Sequence, residues 1–447
     1  MKYGQYREEW RRLLSSKRFV DDESKICLKE PAPQEGRSPF EADIGRAIFS
    51  QPFRRLAGKT QVHPFASVDY IHNRLTHSIE AGHVSRALGR SVAMFIMKDR
   101  GDLADTDAVC KIGWICHAAG LMHDIGNPPY GHAGEDAIRA WAVKNEEALK
   151  IICGNKTVDD FKYFDGNAQA FRMASRTGLR ETCYFRLTCA VLGAMVKYPY
   201  YTGSKKGKMG KSAAFSSERE VFDVLWKELG LRREKRHPLS YITEAADDIC
   251  YRINDFEDAV LMGLLDECEV KEMLMAGMPF PLQCKLRGEN ASLSRVRAVT
   301  IGALIEEFAN VFKANYGKIM EGSFEKDLKS QIGDKWGGVL ARIKEKYDCI
   351  FSERKKVVSE VGAFGQIGSV LDKYMSLLNE MPNQGGGIRK YDSLSFLSQR
   401  LITLAWGGRE YYEKNVVQPM DWWGHAVLDF VVGMTDEYLH KCASEFL

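Results

Sequence analysis

Four short stretches of this sequence hold the donors that a metal ion and a phosphate ester call for: Arg74-Leu75-Thr76-His77, His123-Asp124-Ile125-Gly126-Asn127, the His132/Glu135 pair, and Glu244-Ala245-Ala246-Asp247-Asp248. Adjacent His123 and Asp124 can both reach one ion if the apolar helix before them stops there. Gly126 and the Pro128-Pro129 pair make it stop. His77 and Asp247 complete a set of two imidazoles and two carboxylates. Mixed nitrogen and oxygen ligands without thiolate suit manganese, magnesium, iron or zinc and leave positions for water and phosphate. An ion held there neutralises charge on a phosphate oxygen and acidifies water. Taken singly, each stretch has a plain alternative, because His-Asp pairs recur by chance and a lone helical histidine is usually a hydrogen-bonded structural residue.

Other residues extend the pattern. If a helix begins near Gly131, His132 and Glu135 stand at i and i+3, so Glu135 can orient the imidazole and raise its proton affinity. That makes His132 a candidate general acid or base, with simple capping of the turn as the competing role. Arg74 precedes His77 by three residues and offers a fork of donors for phosphate oxygens, or else a surface ion pair. Asp247, Tyr251 and Asp255 follow one another at i+4 and share a face, unless Tyr251 is simply core and Asp255 solvated.

Such residues need helices to hold them, and apolar residues recur at helical spacing almost throughout. The clearest run is 240–265, where Ile242, Ala246, Ile249, Ile253, Phe256 and Val260 share one face after the start signals Pro238 and Ser240. Further helices are expected at 41–51, 76–98, 106–122, 134–152, 168–177, 186–198, 217–230 and 296–318. Residues 127–131 and 382–387 must be loops, the second a candidate mobile one. A composition shift from Asp266 to Leu293 divides the chain into 1–265, the motif-bearing core with an N-terminal extension, and 266–447, a C-terminal helical region packed on it.

Composition narrows the class without naming it. The 447 residues carry a net charge of +3, with 45% hydrophobic and 28% charged residues. No apolar run approaches the roughly 20 residues of a membrane span, and the N-terminus lacks a signal-peptide core, so a cytoplasmic protein is expected. The eleven cysteines contain no C-x-x-C pair and read as reduced, buried thiols. The lysine-rich loop at 205–211 and the basic run at 232–236 read as solvated loops, or as attractors of polyphosphate or single-stranded nucleic acid.

In their order, the motifs resemble the HD superfamily of metal phosphohydrolases. The strings RRLAGKTQVHPF, NRLTHSIEAGHV, GLMHDIGNPPYGHAGEDAI, FDGNAQAFR and YITEAADDICYRINDFEDA resemble its dGTPase-like branch, the deoxynucleoside triphosphate triphosphohydrolases. The resemblance implies an all-α HD-domain helical bundle with an additional C-terminal helical region. It implies hydrolysis of a dNTP, dGTP foremost, to deoxynucleoside and intact triphosphate by water attack at the α-phosphorus. It names His77, His123, Asp124 and Asp247 as metal ligands, with Asp248 the substitute for Asp247, and it points to His132 and Glu135 as the catalytic pair. For the substrate it implies Arg74 at phosphate, Gln61 and Asp255 at the 3′-hydroxyl, and Tyr251 against the sugar. Asn167 falls near base or phosphates, with Lys197 and Tyr198 as further pocket candidates. His63, His72, His83 and His117 read as structural, and Asn127 disfavours a dinuclear centre. A homo-oligomer is also implied, and single-stranded DNA is a candidate regulator. The alternatives are an HD nucleotidase or phosphodiesterase, and a nucleotide-sensing or single-stranded-DNA-binding protein.

Overall fold

The computed structural model describes residues 2–22, 25–64, 68, 70–175, 185–383 and 387–446. Among them the chain is all-α, from Arg7–Leu13 to Asp436–Glu445, with one small antiparallel hairpin in which Arg18–Asp22 pairs with Lys25–Lys29. No described helix is long and apolar enough to cross a membrane.

Three helices carry the metal-ligand candidates. Arg74–Phe95 starts two residues before the expected 76, because the Asn73 side chain accepts from the Leu75 and Thr76 amides while Thr76 Oγ1 accepts from the Asn73 amide at 3.1 Å. That capping box fixes His77 in the first turn. Thr106–Met122 matches its expected bounds, capped by Asp105. It can lie against Arg74–Phe95 because both lack side chains where they cross: a Cβ on Gly120 would stand 2.8 Å from Gly82 Cα. Ser240–Leu261 packs across Arg74–Phe95 and ends before 265, since Gly263 takes a left-handed φ of 72° and the Leu264 amide turns back to the Ala259 carbonyl.

Several expected helices are shorter or divided. The stretch 41–51 is Pro39–Ile48 followed by Gln51–Arg55, each begun by a serine, Ser38 and Ser50. The stretch 134–152 breaks at Asn145, giving His132–Lys144 and Glu146–Cys153. At 186–198 only Cys189–Met195 is helical, because the amides of Cys189 and Ala190 bond to the carbonyls of Lys17 and Ser15. The stretch 217–230 opens with a 3-10 turn before Arg219–Glu228. Gly166–Ser175 replaces 168–177, whose last two residues lie outside the described ones, as does the middle of the 382–387 loop. Cys116, Cys153, Cys189, Cys250 and Cys442 are buried free thiols as expected, whereas Cys268, Cys284 and Cys349 are exposed.

Buried apolar residues form two clusters. One joins the three helices above to Leu293–Met320 and Asp334–Phe351, through residues such as Leu88, Ile115, Ile249, Phe312 and Ile343. The other joins His132–Lys144 and its two successors to Arg354–Glu380 and the helices after it, through Ile138, Phe161, Tyr374, Trp423 and Leu439. The chain beyond Asp266 therefore contributes to both. Arg172, wholly buried, helps bind them together by pairing with Glu218 and with Asp429 at 2.9 Å.

Candidate metal centre and substrate cleft

Where Thr106–Met122 ends, the chain turns so that His123 Nδ1 lies 2.7 Å from the Gly120 carbonyl. A carbonyl only accepts, so Nδ1 carries the proton in the neutral ring and Nε2 is left with its lone pair. That Nε2 is buried without a hydrogen-bond partner among the described residues and lies 3.4 Å from Asp247 Oδ1. His77 Nε2, from the neighbouring helix, lies 3.1 Å from the same oxygen. His77, His123 and Asp247 thus offer donor atoms within 4.8 Å of one another, a group able to hold a metal ion. Two imidazole nitrogens and a carboxylate, one nitrogen orphaned in a buried position, fit a divalent cation. Burial opposes a charge on His123, but Asp124 and Asp247 outweigh it and hold its pKa up at about 9. The site as folded therefore calls for positive charge.

Asp124 stands beside this group. Its Oδ1 is 3.5 Å from His123 Nε2, and its carboxylate accepts from Arg74 Nη1 and from Asn127 Nδ2, each at 2.6 Å. Burial works against its charge, yet His123, Arg74 and His77 bring its pKa down to about 2. Asp248 faces elsewhere and accepts from Lys329 Nζ at 2.8 Å, so Asp247 is the aspartate that meets the histidines.

His123, Asp124 and Asp247 line a cleft of about 830 Å³. Arg74, Asn167, Lys197, Gln61 and Tyr251 line it, as do His132 and Glu135. Gly131, at φ 57°, lets the chain pass Arg74, whose Nη2 would stand 2.4 Å from any Cβ there. Behind it, His132 Nδ1 bonds Glu135 Oε2 at 3.0 Å, while Glu135 Oε1 accepts from the Gly166 amide at 2.7 Å. The ring is tied to a carboxylate rather than to helix backbone, and 94% of its side chain is open to the cleft. The hydrogen bond to Glu135 raises its pKa above the usual histidine value.

Asn167 donates to Asp165 Oδ1 at 2.8 Å, and Lys197 lies 3.3 Å from Glu244, which also accepts from Arg236 at 2.7 Å. Gln61 brings a buried Oε1 that has no partner among the described residues. Asp255 sits two turns beyond Asp247, deeper than the lining residues, with Oδ2 buried and unpartnered; burial, then Asp258, pushes its carboxyl well above the usual range. Tyr251 packs edge-on to Tyr347, with ring centroids 6.0 Å apart. His72, read as structural, bonds Asp258 at 2.7 Å and ties the start of the Arg74–Phe95 helix to the Ser240–Leu261 helix.

Of three further contributions, the first was open as the alternative reading of its loop and the other two were not foreseen. Of the lysine-rich loop, Lys211 turns into the cleft and lies 5.4 Å from the Tyr198 ring, while Lys206 pairs with Glu234. Arg139 lines the cleft and pairs with Glu135 at 3.4 Å. Phe351, Lys356 and Glu360 bring the C-terminal half of the chain into the lining. Arg139 was findable, one helical turn after Glu135. The other residues lie in segments with no motif of their own.

No family model matches the chain. It is 35% identical to a deoxyguanosinetriphosphate triphosphohydrolase-like protein of Pseudomonas aeruginosa over 92% of this chain and 93% of that one. A protein of the same description from Synechocystis sp. is 35% identical over 86% of this chain and 90% of its own length. A third, from Listeria innocua, is 31% identical over 96% and 97%.

Proposed function

Because the chain belongs to the deoxyguanosinetriphosphate triphosphohydrolase-like family, we propose that it is an HD-type metal-dependent enzyme hydrolysing dNTPs, dGTP foremost, at the α-phosphorus to deoxynucleoside and intact triphosphate. The observation that carries this reading is the His77, His123 and Asp247 group, of which His123 and Asp247 line a cleft that also presents Arg74, Lys197 and Lys211. Asp124 is assigned as fourth ligand. A divalent ion, when bound, supplies charge neutralisation at a phosphate oxygen and acidifies water. Arg74, Lys197 and Lys211 bind the phosphates, with Asn167 beside them. His132 gives its proton to the departing sugar 5′ oxygen, an alkoxide too basic to leave unaided. Glu135 holds the ring on the correct nitrogen and keeps it protonated. A cytoplasmic location, a homo-oligomer and regulation by single-stranded DNA through the exposed Lys205–Lys211 loop complete the proposal.

Incubation with each dNTP and NTP plus manganese or magnesium, with products separated by ion exchange, tests the reading. Deoxynucleoside plus intact triphosphate is expected. Orthophosphate or pyrophosphate would instead place the attack elsewhere and favour an HD nucleotidase or phosphodiesterase.

Sugar reading follows from Gln61 and Asp255. A 3′-hydroxyl can donate to Gln61 Oε1 and exchange a hydrogen bond with Asp255, whose burial favours the protonated form. Tyr251 packs where a 2′-hydroxyl would stand. Gln61→Ala and Asp255→Ala are each expected to lower kcat/KM for dGTP by about 10–100-fold, and far less for its 2′,3′-dideoxy analogue. Equal losses with both substrates, or none, would remove the 3′-hydroxyl role.

A further inference from the structure

Residues 432–436, far along the chain from every motif, reach two catalytic segments through three hydrogen bonds, and a fourth ties those segments to each other. Lys59, only 3% exposed, donates from Nζ to the Asn127 carbonyl at 2.6 Å and to the Val432 carbonyl at 2.7 Å. Val432 is the last residue of the Met420–Val432 helix, so its carbonyl is one that the helix leaves without an internal partner, at the end that favours a cation. Asp436, also 3% exposed, accepts from the Thr60 amide at 2.8 Å through one oxygen and from the Tyr130 amide at 2.9 Å through the other. Both residues are therefore pinned between the C-terminal helices and the catalytic segments.

What they pin matters for chemistry. Thr60 precedes Gln61. Asn127 carries the amide that bonds Asp124, and Tyr130 lies two residues before His132. Tyr130 also holds φ at 62°, a left-handed conformation that a bulky residue keeps only when its surroundings impose it. The Asp436 bond to its amide is such an imposition. Two buried ionisable side chains spent on backbone groups are a costly way to hold a loop if packing alone would serve.

We propose that Lys59 and Asp436 are positioning residues that clasp the 127–131 loop and the Thr60-Gln61 segment to the C-terminal helices, so that those helices set the geometry of Asp124, His132 and Gln61. The proposal rests on the dNTP reading for its kinetic test and on hydrogen exchange for a test that does not need it. In Asp436→Asn and Lys59→Met, kcat for dGTP is expected to fall about 10²-fold, the scale of a misplacement near 1 Å, with KM changed less than about threefold. A merely structural role would instead lower the melting temperature and let kcat recover on cooling.

Rescue separates the two roles further. A small cavity lined by Pro52, Arg55, Ile125 and Lys59 adjoins the clasp. In Lys59→Ala, added propylammonium supplies the missing three carbons and the ammonium, and is expected to restore kcat saturably while leaving the wild type unchanged. Loss of kcat that tracks the melting temperature, without rescue, overturns the proposal. If the wild type hydrolyses no dNTP, the function assigned above fails, and the clasp is judged by hydrogen exchange alone. Faster exchange at 124–132 in Asp436→Asn, with the Thr106–Met122 helix unchanged, supports it. Unchanged exchange there rejects it.

Discussion

Asp247→Ala is expected to lower triphosphate release by roughly 10³–10⁴-fold, the equivalent of several kcal/mol of transition-state charge stabilisation. Asp247 Oδ1 is the oxygen that both His77 Nε2, at 3.1 Å, and His123 Nε2, at 3.4 Å, approach. Without it two imidazoles and the Asp124 carboxylate, already engaged by Arg74 and Asn127, remain, a set that holds a hard divalent ion less firmly. The fold should survive, since the substitution places alanine, the best helix former, inside Ser240–Leu261. Manganese binding followed by paramagnetic resonance, alongside product assay and circular dichroism, checks the three parts separately. Activity within tenfold of wild type would mean that the ion sits elsewhere or that the chemistry needs none.

For His132→Ala the expected loss is about 10²–10⁴ in kcat, the usual contribution of a positioned proton donor, with manganese affinity unchanged because the residue stands outside the ligand group. The direction of its pH effect is fixed by its partner. Glu135 accepts the His132 hydrogen bond and raises the ring's pKa above 6.5, so the protonated donor persists to higher pH and activity falls as pH rises through that raised value. Glu135 itself, despite burial, is held below the usual carboxyl range by His132 and Arg139, and so stays charged. In Glu135→Gln the ring loses its anionic partner, its pKa drops, and the alkaline fall in kcat should move to lower pH. An alkaline limb that stays in place, or moves up, would falsify the donor role for His132.

The candidate metal group of His77, His123 and Asp247 was legible because each residue sits in a stretch whose chemistry is local: His123 at a helix end, His77 three residues after Arg74, Asp247 on an amphipathic helix. Helix type was legible for the same reason, since periodicity is a short-range signal. Helix ends were less so. Asn145 interrupts 134–152 with no glycine or proline, by bonding from its side chain to the Trp141 carbonyl at 3.0 Å, while the apolar rhythm from Trp141 to Leu149 continues across the break. Cys189–Met195 is short because distant residues, Ser15 and Lys17, take its first amides. Lys356, Glu360 and Asp436 were invisible as site residues, because what they do depends on where the second half of the chain lands.

The two apolar clusters divide the candidate site between them. His77 and Asp247 sit on helices of one and His123 at the end of another of its helices; His132 and Glu135 sit on a helix of the other. Heating should therefore silence the enzyme when the weaker of the two loosens, before the stronger one melts. A thermal inactivation curve would then run ahead of the calorimetric transition of the whole chain, and the gap between them would measure how unequal the two halves are.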